Sequence, residues 1–186
     1  MTPFQIQTPR LLMREWAEED QAAFVRLVSA PQVLEWSGPD DSGDFEVPFI
    51  ERMRRNQLEL GWALWAVELL APRHDEPAGP IGWAGFGTES LPDPELAWTF
   101  LPAVWGRGYA TEAGITARDH GFEALGMERM VSIVDVRNVA SARVATKVGL
   151  VHRGMEMCHG VEHLRFELTR DEWVRQASAL PGRSGS

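Results

Sequence analysis

The sequence predicts a mixed α/β layer, a sheet carrying helices, built as one domain over residues 1–179. Three observations carry that prediction. A chain of 186 residues is long enough for one ordinary core and too short for two. Its hydrophobic fraction of 44% and charged fraction of 24% are those of a globular protein. Strand and helix patterns alternate late in the chain but not early, which fits a layered sheet and not a repeated βαβ barrel.

The elements follow from the pattern in order. Leu11 to Trp16 reads as a short strand after the Thr8-Pro9 break. Asp20 to Ser29 carries Ala23, Phe24, Leu27 and Val28 at the spacing of an amphipathic helix. Ser37 to Asp44, with three aspartates and two glycines, reads as an exposed loop, and Glu46 to Leu60 as a second helix. Trp62 to Leu70 and Ile81 to Thr88 are strands, and the Pro-rich segment Ala71 to Pro80 between them is a long hairpin loop. Glu95 to Leu101 alternates Leu96, Trp98 and Phe100 with Glu95, Ala97 and Thr99, giving the two faces of a strand.

The strongest helix is Ala110 to Leu125, where Ala110, Gly114, Ala117, Gly121 and Ala124 share a face of small side chains that lets it lie close to a sheet. Met130 to Val136 is a β-branched strand. Asn138 to Val148 is a helix with Asn138 as N-cap and Gly149 as its stop. Val151 to Met157 and Glu162 to Leu168 are the last strands. Thr169 with Glu172 forms a capping box for a short final helix, and 180–186 reads as a flexible tail. Trp62, Trp65, Trp83 and Trp98, four of eight tryptophans, take core positions.

Composition narrows the functions. A net charge of −9 offers no basic stripe for nucleic acid. It mildly favours a cationic partner such as an amine, and ordinary solubility is the stronger account of it. No run approaches the ~20 apolar residues of a membrane span, and residues 1–14 carry no secretory pattern. The lone Cys158 forms no internal disulfide, so a cytoplasmic setting is expected. Cys158, His159 and His163 lack the recurring spacing of a tetrahedral metal set, and no metal is expected.

The segment Trp105-Gly106-Arg107-Gly108-Tyr109-Ala110-Thr111-Glu112-Ala113 stands between a strand and the best helix. Two glycines allow a tight turn whose amides converge. The helix N-terminus adds unpaired N–H groups and partial positive charge, which together suit a phosphate or diphosphate. A Walker loop requires a terminal Gly-Lys-Ser/Thr that is absent. A dinucleotide fingerprint requires Gly or Ala where Thr111 stands. A plain strand-to-helix turn remains the competing reading.

The neighbouring sequence adds to this. Glu95 to Pro102 followed by Trp105 to Ala113 resembles the acetyl-CoA-binding core of the GNAT acetyltransferase superfamily, and more closely its RimJ/RimL-like branch, which acetylates N-terminal amines of ribosomal proteins. Thr8 to Leu11, Ile81 to Gly85, Asn138 to Ser141, Lys147 to Leu150 and His163 to Trp173 match in the same order, so the resemblance spans roughly residues 8–173. It implies a mixed, mostly antiparallel sheet with helices on both faces, splayed between the strand ending near Leu101 and the strand starting near Met130. The pantetheine arm would lie in that gap like an added strand. Amides of Arg107, Gly108, Tyr109, Ala110 and Thr111 would hold the diphosphate, and Asn138 would contact CoA in addition to its capping role. Two departures stand out. Leu150 replaces the usual phenylalanine, and the sole tyrosine, Tyr109, lies in the loop and not on the late helix where many members place a general acid.

Acetyl transfer needs a neutral amine and a stabilised oxyanion. An N–H near Phe100 or Leu101 is expected to polarise the thioester carbonyl. Glu95, on the polar side of its strand and matched by a glutamate in the branch, is the expected base; the alternative is a solvated residue or a partner for Arg10 or Arg14. Glu112 is a second candidate base, although its place in a first helical turn is explained by the helix dipole alone. Ser141 is expected to donate to the leaving sulfur or, alternatively, to serve only as a first-turn residue. Trp36, beside Asp40 and Asp41, is expected either to line a cationic acceptor site or to pack in the core. The expected reaction is direct transfer from acetyl-CoA to a protein N-terminal amine or to a small amine such as an aminoglycoside or polyamine. A non-catalytic acyl-CoA-binding module is the rival reading. The oligomeric state is open, a homodimer included.

Overall fold

The computed structural model describes residues 3–36, 47–87, 93–158 and 160–179. An eight-stranded sheet forms the spine, in the order β1-β2-β3-β4-β5-β6-β8-β7. Its strands are β1 (Gln5–Gln7), β2 (Leu11–Arg14), β3 (Leu64–Leu69), β4 (Pro80–Gly87), β5 (Glu95–Phe100), β6 (Arg129–Asp135), β7 (Val151–Cys158) and β8 (Val161–Thr169). Every pairing is antiparallel except β5 with β6. The sheet is therefore mixed and mostly antiparallel, as expected. The parallel pair needs a crossover, and α4 (Tyr109–Glu123) supplies it. The remaining helices are α1 (Gln21–Val28), α2 (Pro31–Leu34), α3 (Val47–Leu60), α5 (Val139–Val148) and α6 (Arg170–Ala179).

Helices cover both faces of the sheet. Trp83 of β4 meets Phe24 of α1 and Phe49 of α3, with ring centroids 6.0 and 5.2 Å away. Phe86, three residues on, points to the other face and packs under α4. Here the small residues matter. A Cβ on Gly114 would stand 2.8 Å from Val148 Cγ2, and one on Gly121 would stand 2.7 Å from Phe86 Cζ. The helix axis can lie this close only because those side chains are absent. The contact face differs in part from the expectation. Ala113, Gly114, Ala117 and Gly121 are buried, whereas Ala124 is exposed, because the helix ends at Glu123 and the chain turns away.

Trp65, Phe24, Phe86 and Phe122 are among the largest fully buried side chains, each contributing about 1.5–3 kcal/mol from burial. Trp62, Trp83 and Trp98 are partly buried and packed against that core. Two elements escape a reading of pattern. β1 is Gln-Ile-Gln, three residues without legible periodicity, and it exists through pairing of Gln5, Ile6 and Gln7 with β2. α2 is a single turn opened by Pro31. The caps read from sequence are present. Asn138 Oδ1 accepts the Ser141 N–H at 2.9 Å, Gly149 takes a left-handed φ of 96°, and Glu172 Oε2 accepts the Thr169 N–H at 3.0 Å. The acidic loop 37–44, with Asp40 and Asp41, and the tail 180–186 lie outside the described residues.

Candidate active site

The parallel ladder between β5 and β6 registers only at Glu95 and Val131. Val131 N–H donates to Pro94 O at 3.1 Å. Two residues on, the Ile133 N–H turns to the Glu95 side chain, Oε1 at 3.4 Å, in place of a main-chain partner on β5. From that apex the strands separate, and the main-chain groups of Trp98 and Phe100 face a seam.

The alternation of strand amides decides which groups face it. Leu101 N–H donates to Ile81 O of β4 at 2.8 Å. That commitment withdraws the Leu101 amide as a donor to a thioester and corrects that part of the expectation. The Phe100 main chain points the opposite way, into the seam, where its carbonyl accepts the Trp105 indole N–H at 2.7 Å. Glu95, Ala97 and Thr99 share the other face of β5. Thr99 lies opposite Trp83, so these three look toward the α1–α3 side, away from α4.

At the end of β5 a 3₁₀ turn, Pro102–Val104, leads into the glycine loop. Gly106 and Gly108 take φ values of 75° and 81°, left-handed backbone that L side chains adopt only at a cost. Gly108 is the N-cap of α4, and the first bond into the helix is Glu112 N–H to Gly108 O at 3.0 Å. The N–H groups of residues 106–111 have no protein acceptor among the described residues. Gly108 is exposed, and a Cβ there would meet only Arg10 Nη2, at 3.5 Å. Free amides at a helix start, an open approach and positive backbone potential match the chemistry of a diphosphate.

Two ion-pair clusters brace this loop, and neither was visible in the sequence. On one side Arg10 binds Glu112 (Nε to Oε2, 2.6 Å), donates to Arg107 O at 2.9 Å, and stands 4.6 Å from the Tyr109 ring centre. Thr8 adds a hydroxyl bond to Glu112 at 2.5 Å. Burial pushes the Glu112 carboxyl up, but the bonds from Thr8 and Arg10 outweigh it and hold it below the usual glutamate range. A carboxylate so engaged makes a poor base, and Glu112 is a brace. Arg14, the other arginine considered for Glu95, pairs with Asp20 and Glu68. On the other side of the loop, Arg107 and Tyr109 reach two acids of the β3–β4 hairpin, Asp75 and Glu76. Burial first, then the Glu76 bond, raise the Tyr109 phenol above its ordinary value, so it keeps its proton.

The remaining candidates gather at the open end of β6. Asn138 caps α5 through Oδ1, and the Ser141 hydroxyl, one turn in, has no protein partner among the described residues. Arg137 binds Asp135 (Nη2 to Oδ2, 2.6 Å) and brings the Asp135 carboxyl down to about 2. The same guanidinium lies 5.7 Å from the Trp36 ring centre. Trp36 is thus neither buried core nor a bare aromatic wall, since this chain's own cation already rests against it. Among the described residues no group of His, Cys, Asp and Glu could hold a metal, and no helix is long and apolar enough to cross a membrane.

Comparison with known proteins agrees with this geometry. A family model described as an acetyltransferase (GNAT) domain matches residues 10–151. The chain is 32% identical over 151 residues to the uncharacterized N-acetyltransferase YnaD of Bacillus subtilis, covering 80% of this chain and 84% of that protein. Mycobacterium smegmatis RimJ, solved with CoA-disulfide, superposes with a TM-score of 0.71 at 19% identity, covering 94% of each chain. Vibrio cholerae SpeG, a spermidine N-acetyltransferase solved as its F149G mutant, superposes with a TM-score of 0.68 at 15% identity, over 91% of this chain and 99% of that one. With the splayed sheet and the free amides before α4 beside these matches, the chain belongs to the GNAT family and is an acyl-CoA-dependent N-acetyltransferase.

Proposed function

We propose that this enzyme transfers acetyl from acetyl-CoA to a protein N-terminal amine, by direct attack within a ternary complex and with Glu95 as base. The observation that carries the reading is the position of Glu95. Its carboxylate stands at the apex of the seam, within reach of the Ile133 N–H, on the sheet face opposite α4. The amides of residues 107–111 hold the diphosphate, the Phe100 main chain lines the pantetheine arm, and Asn138 contacts CoA beside its cap. The amine nitrogen attacks the thioester carbon from the Glu95 side, its proton passes to Glu95 directly or through water, and the C–S bond breaks. Ser141 donates a hydrogen bond to the departing sulfur. Trp36 borders the acceptor.

The order of motifs, which resembles the RimJ/RimL-like branch, supports a protein N-terminus. An α-amine, with a pKa of about 7.7–8.0, is also easier to deprotonate than a lysine-like amine at about 10.4. A small amine is the second reading, favoured by the fold shared with a spermidine acetyltransferase. Glu95→Gln keeps an acceptor for Ile133 and removes the charge. It should lower kcat by about 10²–10⁴-fold with acetyl-CoA affinity retained. Free-thiol release against peptides of varied N-termini and a panel of polyamines and aminoglycosides assigns the acceptor. Unchanged kcat in the Glu95→Gln enzyme sinks the base assignment, and absence of acetyl-dependent turnover in the wild type favours a binding module.

A further inference from the structure

Glu76, in the hairpin loop between β3 and β4, stands 31 residues from Arg107 in sequence, yet it supplies a buried carboxylate to the glycine loop. The Glu76 side chain is 1% exposed. Its Oε1 accepts from Arg107 Nη1 at 2.5 Å and from the Tyr109 hydroxyl at 2.9 Å, and its Oε2 accepts the Arg73 N–H at 2.8 Å. The Glu76 N–H returns to Arg73 O at 3.0 Å, closing a tight turn around the carboxylate. Asp75 takes the other arm of the same guanidinium, Nη2 to Oδ2 at 2.9 Å. The Arg73 N–H bond, followed by those from Tyr109 and Arg107, overcomes burial and holds Glu76 ionised below the usual glutamate range.

Arg107 and Tyr109 are the two neighbours of Gly108. One buried carboxylate therefore grips both flanks of the residue whose left-handed φ of 81° turns the loop into the helix. Without that grip the loop keeps only the Arg10 brace on its other side, and its glycines at 106 and 108 leave the backbone between them free to turn. The grip also decides where the loop's own positive charge goes. The Arg107 guanidinium, the side-chain cation within the glycine loop, is engaged by two carboxylates. That leaves main-chain N–H groups to meet the ligand.

We propose that Glu76 is a positioning residue for cofactor binding: it sets the direction of the 107–111 amides by holding Arg107 and Tyr109, and it turns the Arg107 side chain away from the diphosphate. This rests on the reading of that loop as the diphosphate cradle. Its consequence is selective. A loosened loop should weaken any thioester that carries the diphosphate and spare one that does not.

The experiment compares acetyl-CoA with S-acetylpantetheine, the same thioester without the nucleotide diphosphate. The proteins are wild type, Glu76→Gln, Glu76→Ala, Arg107→Met and the Glu76→Ala/Arg107→Met double variant, each checked for an intact melting transition. Glu76→Ala should raise KM for acetyl-CoA about tenfold with kcat within about twofold, while kcat/KM for S-acetylpantetheine changes by less than about twofold. Glu76→Gln, which keeps the shape, should fall between. The double variant, which also removes the Arg107–Asp75 pair, should lose less than the two single losses combined, because the Glu76–Arg107 bond is common to both. Equal losses on both thioesters would reduce Glu76 to a general structural role, and an unchanged KM for acetyl-CoA would remove the proposal altogether. Failure of the cradle reading looks different, since the wild type itself would then treat the two thioesters alike.

Discussion

Replacing Gly108 with alanine tests the cradle with two separable effects. In the unliganded protein the added methyl meets one atom, Arg10 Nη2, at an ordinary contact distance of 3.5 Å. Sterics inside the protein are therefore minor, and the cost is conformational. A φ of 81° is left-handed, and an L side chain held there costs about 1–2 kcal/mol. For a chain of this size that is a fall in Tm of about 2–8 °C. The second effect concerns the ligand. The methyl stands among the free amides of residues 106–111, where a diphosphate must approach. Wild-type protein at about 100 times the Kd of acetyl-CoA should gain about 2.7 kcal/mol, or about 5–11 °C. Gly108→Ala should gain little or nothing. Differential scanning fluorimetry with and without acetyl-CoA reads both. A full ligand-induced shift in the variant would place the diphosphate elsewhere. An unchanged Tm without ligand would contradict the left-handed backbone at Gly108.

Two further outcomes are expected. Asn138→Ala removes the acceptor of the Ser141 N–H and should destabilise the protein by about 1 kcal/mol, read as a lower urea midpoint, whereas Asn138→Ser should restore most of the loss and leave any separate CoA contact exposed in the affinity. Glu172 sits at about 2 against an ordinary 4.5, held first by Arg153 and then by the Thr169 N–H, with burial opposing. Its folded value lies below its unfolded one, so its stabilisation is complete above about pH 4.5 and is lost as pH falls toward about 2. The gap in urea midpoint between wild type and Glu172→Gln should narrow across that window. A gap that is constant with pH would show that the ion pair is not the source.

The local grammar was legible early. Gly106 and Gly108 before an uninterrupted helix pattern announced a turn with free amides. Asn138, Gly149 and the Thr169–Glu172 pair announced helix ends, because caps are short-range bonds written within four residues. The alternation of Leu96, Trp98 and Phe100 announced the strand beside the seam. Glu95 could be named as a candidate but not placed, since its bond to Ile133 spans 38 residues. Of the two positions expected to offer a donor, Phe100 and Leu101, the commitment of the Leu101 N–H is hidden for the same reason. Its partner, Ile81, belongs to a neighbouring strand whose register no local pattern specifies.

What sequence alone determined depends on near neighbours: the longer strands and helices, the caps at Asn138, Gly149 and Thr169, and which loop presents unpaired amides at a helix start. Tertiary structure decided what those amides face and what holds them. The seam opens because β5 and β6 pair at one register position, and the loop is braced by Arg10 from residue 10 and by Asp75 and Glu76 from a distant hairpin. Charge pairs of that kind have no period and no spacing. They form wherever folding brings an arginine and a carboxylate out of water together, and only the assembled sheet specifies which ones meet.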